Sequence, residues 1–147
     1  MENDKVEIEV LDELNKGACM GMDAINYVLE KVEDDNLKTE LERQYREYSE
    51  ISEEIERLYS EYNPKKDDPH KTNVINKAMT WSGIEMKTLM DNSTSKIAEL
   101  LLQGTNMGII EGKKLLNNKD ADPKVSSVVE KYVAMQEKAV EKLKEFL

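Results

Sequence analysis

Five polar side chains stand where a packed helical seam would carry them inward: Gln44, Tyr48, Tyr132, Gln136 and Glu111. Gln44 and Tyr48 continue the step of Leu37 and Leu41 toward Ile51 and Ile55. Tyr132 and Gln136 continue that of Val125 and Val129 toward Ala139 and Leu143, and Glu111 follows Ile97, Leu101, Gly104 and Gly108. A carboxylate at such a position can ligate a divalent cation if its neighbours complete the shell. Amides and phenols are poor ligands for divalent iron, so Glu111 is a weak metal candidate. An edge carboxylate that snorkels outward or bonds a buried Tyr or Gln is the simpler account.

Other reactive types are scarce. Cys19 is the single cysteine and His70 the single histidine. A nucleophilic cysteine needs a base or cation beside it, and small-residue packing explains Cys19 more simply. His70 falls with Asp67 and Asp68 in a charged stretch bounded by Pro64 and Lys71, which reads as a surface loop. Glu40, Glu47, Glu54 and Glu61 recur once per heptad, but about 10 Å apart along a helix axis, too far to share one ion. Such a column is a solvated flank that pairs with lysines of an adjacent helix. The sequence thus favours a non-enzymatic role.

The elements that must position these residues come in two copies. Gly17-Ala-Cys-Met20-Gly21 recurs as Gly104-Thr-Asn-Met107-Gly108 at an offset of 87 (104 − 17). The following seams align at 88 (125 − 37), so one hairpin is used twice, with one residue inserted at the turn. Apolar spacing predicts helices over 4–33, 37–62, 72–90, 95–116 and 125–147. Asp34-Asp35-Asn36 supplies turn and cap chemistry, Asn63-Pro64 ends the second helix, and Pro123 opens the last one. The chain reads as one domain, 1–147: a hairpin over 4–63, a crossover loop and helix over 64–94, and a second hairpin over 95–147. The pairs Gly17/Gly21 and Gly104/Gly108 each lie four apart on a helix face. At about 1 kcal/mol per glycine in helix propensity, they are read as a close crossing of the first helices of the two hairpins.

Two antiparallel pairs related by a pseudo-two-fold and joined by a long crossover resemble the ferritin-like superfamily. More narrowly, the stretches Thr80–Met90, Asp91–Glu99 and Gln103–Ile109 are similar to uncharacterised ferritin-like bacterial proteins. The resemblance covers most of the chain and implies an all-α, ferritin-like four-helix bundle from a duplicated hairpin, with an additional crossover helix. It also implies a di-metal carboxylate site, with Glu on two helices and Glu-x-x-His on the other two. The residues depart from that pattern. His70 stands in no Glu-x-x-His, and the repeat mate of Glu111 (111 − 87) is Ala24. No cofactor is expected.

Composition narrows the partners. The 147 residues are 35% charged and 39% hydrophobic, and carry a net charge of −10 without a Lys/Arg cluster, which disfavours nucleic acid and anionic membranes. The first ten residues lack the apolar stretch of a secretory signal. The densest apolar run, Ile97–Leu102, is interrupted by Glu99 and too short to span a bilayer. A lone cysteine fits a reducing cytoplasm, so a soluble, cytoplasmic protein is expected. Met79, Met86 and Met90, with Trp81 nearby, fill gaps under a crossover helix or form an adaptable surface. The favoured role is a non-catalytic helical protein acting through protein contacts or self-association, as a possible homodimer. One alternative is a metal-binding or iron-handling protein using Glu111, Tyr48 and Tyr132. Another is a binder of a small apolar or amphipathic molecule, which an apolar cavity near Gly21, Met107 and Gly108 would mark.

Overall fold

The computed structural model describes residues 3–63 and 93–147. The expectations for 64–92, including the crossover helix, its methionines and His70, lie outside the described residues. Among the described residues four helices carry the fold: α1 (Asn3–Leu29), α2 (Asp35–Tyr62), α3 (Thr94–Asn118) and α4 (Pro123–Lys144). α1 stops short of its predicted end. A tight turn, closed by Lys31 N–H to the Val28 carbonyl at 2.8 Å, frees Asp34 to cap α2, where its Oδ1 accepts from the Leu37 amide at 2.8 Å. Ser93 does the same for α3, accepting from the Lys96 amide at 3.2 Å.

The start of α4 is built differently. Pro123 occupies the first turn, but the side chain of Asp122 makes no capping bond. Glu7, 3% exposed on α1, reaches across the bundle, and its Oε2 accepts from the Asp122 amide at 2.8 Å. Asp122 in turn accepts from the Tyr62 hydroxyl at 3.0 Å. One end of the bundle is therefore tied together through α1, α2 and α4.

Packing is densest within the pairs α1/α2 and α3/α4 and lighter where α1 meets α3 and α2 meets α4. Each of these four pairs runs antiparallel. Asn15 of α1 bonds Ser52 of α2, while Glu54 and Glu61 of α2 pair with Lys131 and Lys124 of α4 at 2.8 and 3.2 Å. Glu9 of α1 pairs with Lys119 of α3 at 3.4 Å. The flank of glutamates thus meets lysines in its lower half, while Glu40 and Glu47 share Arg43 on their own helix. Such exposed pairs set register more than stability. Because α2 and α3 both oppose α4, Asn63 and Ser93 lie at opposite ends of the bundle. Leu11, Leu14, Leu37, Leu41, Ile55 and Leu143, all under 2% exposed, form the core. Among the described residues no helix is long and apolar enough to cross a membrane.

Candidate ligand-binding cleft between α1 and α3

The seam residues of α2 and α4 meet in a polar layer halfway along the bundle. Gln44, Tyr48, Tyr132 and Gln136 are each no more than 3% exposed. The two phenol rings sit edge to face, 6.3 Å apart at 62°. The Oγ1 of Thr105 on α3 donates to the Leu101 carbonyl at 2.7 Å. Across the layer the Tyr48 hydroxyl accepts from Gln136 Nε2 at 3.2 Å. That bond occupies the Gln136 nitrogen, while its Oε1 is buried without a protein partner. An acceptor in that state costs about 1–3 kcal/mol until something donates to it.

Burial pushes both phenols up. Tyr48 is raised by desolvation against the pull of its bonds to Gln136 and Thr105. Tyr132 is raised well above the ordinary tyrosine value, again chiefly by desolvation, with Tyr48 adding to it. Both stay protonated at neutral pH. Gln44 Nε2 donates to Glu40 Oε2 at 2.8 Å. Burial alone would raise Glu40, but the bonds from Arg43 and Gln44 outweigh it and hold this carboxyl below its usual value.

The repeated glycines make the layer possible. A Cβ at Gly21 would lie 2.6–2.9 Å from the ring of Tyr48, and one at Gly17 would run into the Tyr132 hydroxyl. On α3, a Cβ at Gly108 would strike the Gln136 amide. The glycines seat side chains that arrive from α2 and α4. The expected close crossing of α1 and α3 is not what fills these positions: a cleft of about 570 Å³ lies between the two helices, and Gly17, Gly21, Gly104 and Gly108 all line it. At Gly17, Gly21 and Gly108 the missing Cβ is a window through which Tyr132, Tyr48 and Gln136 reach the cleft.

Leu14, Ile25 and Leu101 supply apolar walls, and the polar layer with Thr105 supplies the floor. Met20 and Met107 of the two motifs also line the cleft, Met107 being 49% exposed. The rim is charged but internally paired: Lys16 with Glu13 at 3.3 Å, Lys114 with Glu111 at 4.0 Å, and Lys119 with Glu9.

Glu111 is not on the buried seam. Its side chain is 70% exposed at the rim. The inward place belongs to Gly112, where an added Cβ would meet Val133 Cγ2 at 2.5 Å. From Gly108 the seam steps by four residues, and that turns Glu111 outward. Sequence reasoning passed over Gly112 and Thr105, although Thr105 stands four residues after Leu101 on the same face.

No family model matches the chain, and no curated protein matches it. Among solved structures it is similar to a two-domain protein from Anabaena variabilis containing DJ-1/ThiJ/PfpI-like and ferritin-like domains. The TM-score is 0.77 at 15% identity, and the match covers 95% of this chain and 38% of that one. The fold is a ferritin-like four-helix bundle. At that identity the likeness speaks for the fold alone, and this ferritin-like chain spans well under half the length of its neighbour.

A di-metal centre does not fit this ferritin-like interior. The layer presents neutral amides and protonated phenols where paired carboxylates and histidines are needed. Among the described residues no three His, Cys, Asp or Glu side chains come together as a metal would require. What the layer can do is accept and donate hydrogen bonds to a guest, with no group poised to exchange protons at neutral pH.

Proposed function

We propose that this ferritin-like bundle is a binding protein that takes a small amphipathic molecule into the cleft between α1 and α3. The observation that carries this reading is the cleft itself. At about 570 Å³ it has the size of a small-molecule site, with apolar walls and a few convergent polar groups at its base. Methionines at its edge supply adaptable contact surface. The chemistry of the floor supports retention of a guest over its conversion, since the amides and high-pKa phenols there offer neither base nor nucleophile.

The test uses the neutral dye Nile red, whose emission rises in apolar surroundings. Saturable enhancement with one dye per chain is the expected result. Met107→Trp, an exposed position at which a larger side chain crowds the cleft, should weaken it about fivefold or more. Absence of saturable binding, or binding indifferent to Met107→Trp, would remove the cleft as a site.

A second reading, association through protein contacts, draws on Met107 and Ile110, 49% and 52% exposed and one turn apart on α3. Sedimentation of the wild type against Ile110→Asp tests it: a dimer that the aspartate dissociates supports it, and monomers in both cases end it.

A further inference from the structure

We propose that the cleft selects an uncharged amphiphile with a hydrogen-bond donor in its head group, an alcohol or a primary amide, and seats that donor on Gln136 Oε1. The inference rests on the reading of the cleft as a binding site and goes on to the chemistry of its guest. Three observations converge on it. Gln136 is 2% exposed and lines the cleft, while its Oε1 has no protein partner. Its Nε2 donates to the Tyr48 hydroxyl at 3.2 Å, which leaves the oxygen as the open end of the amide. In this orientation the amide turns an acceptor, and not a donor, to any further partner.

The surroundings settle the charge of the guest. Tyr48, Tyr132, Gln44 and Thr105 make the floor neutral. A carboxylate head would bring only acceptors to an acceptor and lose its hydration in exchange for phenols and amides. An ammonium head would give Gln136 its donor but bury a charge with no carboxylate at the floor, since the cleft's Glu13 and Glu111 stand at the rim paired with lysines. A neutral O–H or N–H meets the acceptor at the lowest desolvation cost. Discrimination follows from the same asymmetry: a site built around a buried hydrogen-bonding group rejects an analogue that leaves it unpaired.

The experiment compares decanol, decyl methyl ether and decanoate as competitors of Nile red on the full chain. Decanol should displace the dye at about tenfold lower concentration than its ether, although the ether is the more apolar molecule, with decanoate weakest. In Gln136→Met, checked for a cooperative thermal transition, the alcohol and ether values should converge. Equal displacement by alcohol and ether in the wild type, or decanoate as the tightest competitor, would overturn the proposal and leave the cleft reading standing. Failure of every competitor and of the dye itself would take down the cleft reading, and this proposal with it.

Discussion

Replacing Gly21 by alanine probes the windows directly. In a free helix the change is stabilising by about 1 kcal/mol, because alanine gives up less backbone entropy than glycine. In this bundle the new Cβ would come within 2.6, 2.7 and 2.9 Å of three ring carbons of Tyr48. That ring is 3% exposed and lies edge to face with Tyr132, so it has little room to retreat. Overpacking of this kind costs about 1–3 kcal/mol, and set against the gain in propensity the net expectation is a loss of up to about 2 kcal/mol. For a chain of this size that is a fall of up to roughly 4–8 °C in melting temperature. Urea denaturation followed by far-ultraviolet circular dichroism measures it. The companion variant Gly108→Ala meets the end of the flexible Gln136 side chain rather than a ring. It should lose less, trading one hydrogen bond of about 1 kcal/mol against a similar gain in helix propensity. In a Tyr48→Leu background the Gly21→Ala penalty should vanish or change sign, a coupling that a double-mutant cycle reads out. A Gly21→Ala protein more stable than wild type, or no coupling to position 48, would refute the assignment of these glycines to side-chain seating.

Two further outcomes follow from the capped end of the bundle. Glu7→Ala removes the acceptor of the Asp122 amide and should destabilise by about 1–2 kcal/mol, as loss of a helix cap does. Equilibrium unfolding checks this, and a neutral result would mean that Asp122 caps α4 unaided. Tyr62 is pushed up to about 12, first by burial and then by Asp122, which accepts its proton. A phenol with a raised folded-state pKa contributes stability in full below the unfolded value near 10, and that share is lost as pH rises through about 12. Wild type should therefore lose more stability than Tyr62→Phe over that alkaline window, and parallel curves for the two proteins would deny Tyr62 a part.

Much of this architecture was legible in the sequence. Asp34 and Pro123 mark helix starts by chemistry that needs no tertiary context. Gln44, Tyr48, Tyr132 and Gln136 betray their burial by keeping step with leucines and valines. What periodicity cannot supply is the identity of the neighbour. Gly21 announces a missing side chain, and a helix backbone or a phenol ring would use that absence equally well. The choice between Glu111 and Gly112 shows a second limit. Both follow Gly108 at helical spacing, three and four residues on, and glycine carries too little hydropathy to win the position on paper. The cleft lay further still from view, because it is made of atoms that are absent. The cap from Glu7 to Asp122 joins residues more than a hundred positions apart and has no local signature.

The order Gln44, Tyr48 in one hairpin and Tyr132, Gln136 in the other has a consequence for the symmetry of the bundle's interior. Residues that correspond under a two-fold and also touch must straddle its axis, as Tyr48 and Gln136 do. Were the halves separate, identical polypeptides, each would present the same group there, phenol against phenol or amide against amide. A single chain is free of that restriction, and the reversed order sets the Gln136 amide against the Tyr48 phenol at the centre of the repeat. The floor of the cleft inherits that asymmetry, with an amide on one side of the axis and a phenol on the other.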